Sequence, residues 1–307
     1  MGNKHLQKSQ KVKNDESYTQ LEDIELELPH YKNYLKGKVV YCNCDNPEIS
    51  KFWTFFHTHF AEYGLKALIA TYYDRTQFTK KWTYTGDSDA DVMSAEITDL
   101  KSHGDFRSAA CVQILKEADI VVTNPPFSLA QSFVAYLQKH QKPFIIVAPM
   151  TLITFKQCCK MICDRQLYVG VNLQKTRRRN IMHFITPDNE IVEQVAWWFS
   201  TIRPKYQKPV YTPEIECHAS EYKSYENYDA LYCDSIKAVP LDTDRVLGVP
   251  LSFLRDLNYE QFMKRISAPN SGTTSGGCGT TRPWRCGAAT TRSSLLYPMA
   301  CGWTARD

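Results

Sequence analysis

The sequence predicts an α/β protein built on a mostly parallel, doubly wound sheet. Between residues 38 and 149, short apolar runs rich in β-branched residues alternate with amphipathic segments of helical period. Three of the runs end in Cys44-Asp45, Tyr73-Asp74 and Asn124, which closes each on an Asp or Asn. Ligands of such sheets bind outside the carboxyl ends of the strands, so these three ends are expected to share one cleft.

The first run, KVVYCNCD (38–45), reads as a buried strand. PEISKFWTFFHTHFAEYG follows as an amphipathic helix, started after Pro47 and stopped at Gly64. LKALIATYYD is the second strand and ends at Asp74. Residues 75–103 are polar, show little periodicity and read as an excursion from the sheet. A helix is expected from Asp105 to Ala118, followed by strand DIVVTN, helix SLAQSFVAYLQKH and strand KPFIIVAPM. Alternation of this kind implies right-handed crossovers. From Leu167 the pattern becomes strand-rich, with LYVGVNL and NIMHFITP, while IVEQVAWWF reads as a helix.

The expected organisation is therefore an arm over 1–14, a first domain over 15–166, the remainder of the sheet over 167–266, and an atypical tail over 267–307. The arm, MGNKHLQKSQKVKN, has no apolar h-region, and Leu6 stands where a myristoylation signal wants Ser or Thr. It reads as the basic, flexible arm of a cytoplasmic protein. No apolar run approaches the roughly 20 residues that span a bilayer. After Ile266 the acidic residues and the periodicity disappear abruptly, and Gly, Thr, Ser, Arg and Cys take over. A disordered tail is one reading; translation out of the native reading frame is the other and the favoured one. No functional residue is placed there.

Hydrophobic residues at 43% and charged residues at 23% are ordinary for a globular protein with ample core. The net charge of +4 is weak evidence for any partner, because Arg282, Arg285, Arg292 and Arg306 of the tail face only Asp307. A nucleic-acid partner requires local basic clusters. Two exist: Lys4, Lys8, Lys11 and Lys13 in the arm, and Lys175, Arg177, Arg178 and Arg179 in QKTRRRN. Either is also compatible with a solvated charge run. Eleven cysteines show no paired spacing of a zinc site, so free, mostly buried thiols are expected and no metal.

The stretch DIVVTNPPF carries the chemistry. A ring-conjugated amine attacking an activated methyl group needs two rigid acceptors for its protons. Asn124 offers a side-chain carbonyl, and the stiff Pro125-Pro126 pair fixes the carbonyl of Pro125 as a second. Phe127 offers a face on which a planar base extruded from a duplex can stack. The same four residues also suit a plain strand-to-helix turn. A methyl donor needs its own half of the cleft, and the usual Gly-rich turn is replaced by NCDNPE. Asp45 suits the donor's amino or ribose groups, Asp74 a ribose diol and Asp105 an adenine amine. Each of the three equally suits a turn or a helix cap. Asp15, Tyr18 and Thr19, in DESYTQ, either close over the donor or start a helix.

DESYTQ, KVVYCNCDNP, GDF and DIVVTNPPFS, in this order, resemble the EcoRI-type adenine-specific DNA methyltransferases of restriction-modification systems. YENYDALYCDSIKAVPLD and GVPLSFL resemble that family's C-terminal part, so the resemblance covers roughly residues 15–266. It departs from the family at Ser17, where an aromatic ring is expected, and after Ile266. The resemblance implies a Rossmann-like methyltransferase fold with S-adenosylmethionine as donor and a C-terminal DNA-recognition region. The acceptor it implies is the N6 amine of a flipped-out adenine in double-stranded DNA. Asn124, Pro125 and Phe127 match its catalytic motif, with Pro126 between them. The Asp15–Thr19 stretch, Asp45 and Asp105 match its donor-binding segments, which leaves Lys175 and Arg177 to Arg179 for contacts to DNA. A monomer suffices for an enzyme that methylates one strand at a time. Two other readings keep these motifs: methylation of RNA adenine or protein glutamine, and a non-catalytic DNA-binding relic.

Overall fold

The computed structural model describes residues 18–86, 94–171, 181–186 and 190–204, residue 212, and short stretches at 222–223, 231–240, 246–249, 262–264, 284–286 and 295–298. Asp15, the basic arm, and Lys175 with Arg177 to Arg179 lie outside the described residues. The described parts of 18–152 and 168–204 form one compact unit; those of 153–167 and from 206 onward form another. The strands expected after residue 167 thus complete the first unit's sheet, and a helix before that position, Lys156–Cys163, goes with the second.

The first unit is organised on one sheet. Its strands are β1 (Tyr18–Thr19), β2 (Val39–Cys42), β3 (Ala67–Ala70), β4 (Lys80–Tyr84), β5 (Glu96–Asp99), β6 (Ile120–Thr123), β7 (Phe144–Pro149), β8 (Tyr168–Val169), β9 (Ile181–Ile185) and β10 (Ile191–Ser200). They lie in the order β1-β9-β10-β7-β6-β2-β3-β4-β5, with β8 also paired to β10. The four apolar runs of the sequence are the centre of this sheet and pair in parallel as β7-β6-β2-β3. All other pairings in it are antiparallel. The sheet is therefore mixed, with a parallel core, and the expectation of a mostly parallel sheet is corrected.

Two further expectations change with it. Residues 75–103 are not wholly an excursion: β4 and β5 form an antiparallel pair on the edge next to β3. The side chains of β5 are all exposed and β4 buries only Trp82, so no apolar run marks them. IVEQVAWWF is not a helix but most of β10. From Ile191 to Val195 its burial alternates, and from Ala196 to Ser200 it is continuous, where β7 lies alongside. The mixture imitates helical spacing, while the β-branched and aromatic residues favour a strand.

Five helices matter for the first unit's core: α1 (Leu21–Glu27), α2 (Lys32–Leu35), α3 (Lys51–Thr58), α4 (Phe60–Tyr63) and α5 (Ala109–Glu117), with α6 (Ala130–Lys139) following β6. The Ser50 hydroxyl accepts the Phe52 N–H at 3.2 Å and opens α3. Gly64, at φ 57°, ends α4 in the left-handed conformation that glycine adopts without strain. Val40, Cys42, Leu68, Ile120, Val122 and Ile145 cover one face of the central strands and pack with Ile24, Phe52, Trp53 and Phe56. The alternate residues Tyr41, Ile69, Val121 and Ile146 are buried as well. Burial on both faces explains why these strands read as continuous apolar runs. Cys42, Cys44, Cys111, Cys158, Cys159 and Cys233 form no disulfide among the described residues, and most of them are buried.

In the second unit a five-stranded sheet runs β11 (Leu231–Tyr232), β12 (Val246–Val249), β15 (Leu295–Pro298), β14 (Trp284–Cys286) and β13 (Phe262–Lys264). Two of its strands, β14 and β15, come from the tail in which the composition predicts no periodicity. No helix among the described residues is long and apolar enough to cross a membrane.

One buried carboxyl ties the end of α1 to the segment after β8. Glu27, fully buried at the end of α1, accepts the Tyr31 hydroxyl at 2.9 Å and the Val171 N–H at 3.0 Å. Gly170 leaves room for it, because a Cβ there would stand 2.6 Å from Glu27 Oε1. Glu27→Ala strands a buried N–H, which costs about 1–3 kcal/mol. The expected outcome is a matching loss in urea unfolding, and an unchanged midpoint would show that water replaces the carboxyl.

Candidate active site

The site forms where the direction of winding reverses. Strand β2 pairs with β3 on one side and with β6 on the other, with Val40 opposite Ile120 and Tyr41 opposite Val121. Their carboxyl ends therefore come out together, and the turns Asn43-Cys44-Asp45 and Asn124-Pro125-Pro126-Phe127 border one cleft of about 250 Å³.

The catalytic candidates are held from both sides. Thr123 ends β6 fully buried, and Asn124 follows it at 8% exposure, at the cleft wall. The Pro126 carbonyl accepts the Leu129 N–H at 2.9 Å, which closes the turn and starts the 3-10 segment Phe127–Leu129 before α6. Phe127 meets Phe184 of β9 edge-to-face, with centroids 5.4 Å apart and planes at 87°. Its ring is half-buried and lines the cleft, as do Pro125 and Pro126.

Asp45 lies deep beside them, 2% exposed. It accepts the Ser50 hydroxyl at 2.8 Å, the Thr123 hydroxyl at 2.5 Å and the backbone N–H of Asn124. Burial pushes its carboxyl up to about 6, against the opposing pull of these three donors. The cap of α3 is Ser50; Asp45 holds the capping hydroxyl from behind.

On the opposite wall, Asp105 accepts from Arg107 three times: the backbone N–H at 2.8 Å, Nε at 2.9 Å and Nη2 at 2.6 Å. The guanidinium holds the Asp105 carboxyl below the usual carboxylate range. Ser108, whose hydroxyl accepts the Cys111 N–H, caps α5, so Asp105 is not the cap. Tyr18 also borders the cleft, whereas Thr19, the next residue of β1, is buried and does not line it.

Asp74 is placed differently from the expectation of a ribose ligand. It is absent from the cleft lining, and its carboxylate accepts from the N–H and hydroxyl of Thr76, both at 2.7 Å, and from Gln77. These bonds hold it down at about 2 and make it the lock of its own turn. Tyr73, one residue earlier, is what reaches the cleft. Sequence reasoning located Tyr73 at this strand end but gave it no role, and it missed Asn43, Phe106 and Arg107 as lining residues. An Arg two residues after the Asp of GDF is a local signal for the fork with Asp105.

Comparison with known proteins adds a finding of a different kind. Residues 5–282 match the family profile described as adenine-specific methyltransferase EcoRI. The chain is 34% identical over 290 residues to "Type II methyltransferase M.EcoRI" of Escherichia coli, covering 85% of this chain and 88% of that one. It is 32% identical over 274 residues to "Type II methyltransferase M.MpnI" of Mycoplasma pneumoniae, with 84% of each chain covered. It is 31% identical over 277 residues to "Type II methyltransferase M.MgeORF184P" of Mycoplasma genitalium, again with 84% of each covered. No solved structure matches at a significant level.

Gly104 fixes the wall that carries Asp105. Its φ is +78°, and a Cβ would stand 1.8 Å from the Tyr72 carbonyl oxygen. Gly104→Ala combines left-handed strain with overpacking and is expected to cost roughly 2–5 kcal/mol. Thermal unfolding checks this, and a transition within error of the wild type would show that the turn accepts a methyl group.

Proposed function

The chain belongs to the family of EcoRI-type adenine-specific methyltransferases, and from that premise we propose that it methylates the N6 amine of an adenine in double-stranded DNA. S-adenosylmethionine is the donor in this reading, the adenine is flipped out of the duplex, and the enzyme is the modification arm of a restriction-modification system. The observation that carries the reading is the position of Asn124. It stands at the end of a buried strand, at the cleft wall, with two prolines and a braced aromatic ring directly behind it.

Bound S-adenosylmethionine supplies an electrophilic methyl group. The residues around the cleft fit that donor by type: Asp105 for an amine or hydroxyl donor, Tyr18 and Asn43 for polar groups, and Phe106 and Tyr73 for apolar surface. Asn124 Oδ1 and the Pro125 carbonyl accept the two protons of the target amine and draw its nitrogen towards tetrahedral geometry. The nitrogen lone pair forms the new bond to the methyl carbon as the donor's carbon–sulfur bond breaks and sulfur keeps that electron pair; the amine proton leaves to solvent after transfer, so no strong general base is needed. Phe127 stacks on the extruded base, whose removal from the duplex costs a few kcal/mol. Lys175 and Arg177 to Arg179 are assigned to phosphates or base edges of the duplex.

Methyl-labelled donor incubated with duplex DNA, RNA and protein tests the substrate class. Label in N6-methyladenine of digested DNA is expected; label confined to RNA or protein would overturn the reading. Asn124→Ala is expected to lower kcat on the order of 10²–10³-fold with donor binding retained. Near-normal turnover by that variant would remove Asn124 from the mechanism. Phe127→Ala is expected to weaken capture of the flipped base, read as a reduced fluorescence rise from 2-aminopurine at the target position.

A further inference from the structure

Asp45 is the most deeply buried carboxylate at the cleft, and donor binding does not explain its bonds. Its Oδ1 accepts from Ser50, the first capping group of α3, at 2.8 Å. Its Oδ2 accepts from Thr123, the last residue of β6, at 2.5 Å. The backbone N–H of Asn124 donates to the same carboxylate. Three donors from two neighbouring elements thus converge on an acid that stands at the end of a third, β2. An ordinary strand-to-helix turn needs no buried charge, and burying one is costly unless the hydrogen bonds are used. The arrangement fixes the backbone from which the Asn124 side chain projects, at the point where the amine is to be received.

We propose that Asp45 is a positioning residue for methyl transfer: it clamps Thr123 and Asn124 to β2 and α3, and acts on the reaction through Asn124 without holding the donor. The inference rests on the reading of Asn124 given above. The ionised carboxylate accepts all three donors. Protonation takes one acceptor site and removes the charge that strengthens all three bonds, so the clamp is weakened. Ser50, Thr123 and Asn124 bring no titratable side chain to it; the thiols of Cys42 and Cys44 come from its own strand end, and burial first, then the Asp45 charge, pushes the Cys42 thiol up.

The test measures kcat, KM and donor affinity of Asp45→Asn with duplex DNA, using the full chain. Expected is a fall in kcat of roughly 10–100-fold, the scale of a small misplacement of a reacting group, with the Kd for S-adenosylmethionine within about 2-fold of the wild type. Wild-type kcat should also fall as pH drops through about 6, the value to which burial raises this carboxyl, and the variant should lack that limb. Donor affinity that falls as far as turnover would overturn the proposal and make Asp45 a donor ligand. Unchanged kcat with unchanged affinity would overturn it too. Should Asp45→Asn fail to fold, Thr123→Val removes one bond and leaves the carboxylate. A smaller kcat loss with intact donor binding, largely rescued in Thr123→Ser, is then expected, and equal turnover of Thr123→Val and wild type would overturn the clamp. A wild-type protein that transfers no methyl group to DNA would instead sink the functional reading itself, and this inference with it.

Discussion

The parallel pairing of β2 with both β3 and β6 is the constraint on which the site depends. Because the chain leaves β2 towards β3 and later returns to β6 on its other side, the turns after β2 and β6 diverge at their carboxyl ends. The ends of these two strands are therefore both buried at their roots and open at their tips. Buried roots give Asp45 and Thr123 a setting of low polarity in which a hydrogen bond is strong. Open tips put Asn124 and Phe127 on the lining of the cleft. Neither half of this arrangement is a property of the N-P-P-F stretch alone.

The centre of the sheet was legible because both of its faces are covered, and burial on both faces writes an uninterrupted apolar run into the sequence. The edges were less legible for the same reason. Glu96–Asp99 buries no side chain, and Lys80–Tyr84 buries only Trp82, so neither strand writes an apolar run into the sequence. The segment Ile191–Ser200 misled for another reason: it passes from a half-exposed setting to a buried one, so neither period fits its whole length.

At the cleft, residues marked by their place at a strand end were legible, and residues whose place depends on side-chain partners were not. Asn124 and the prolines announce themselves, since nothing in them helps a strand continue. The three aspartates could be located but not assigned, because each of their partners lies elsewhere or in a turn: Thr123 and Ser50 for Asp45, Arg107 for Asp105, Thr76 and Gln77 for Asp74. An acid at a strand end has several possible uses, and only the donors around it decide among them.

The exposed strand at the margin of the sheet has a consequence for solubility. Every side chain of Glu96–Asp99 is exposed. Lys80 stands opposite Asp99, and Glu96 lies opposite Thr83. A strand from another molecule that docked along this margin would bring its backbone up to Glu96 and Asp99 and strip water from two carboxylates. Charged margins of this kind deter edge-to-edge aggregation, so the pair of strands that the sequence nearly concealed protects the whole sheet from uncontrolled growth.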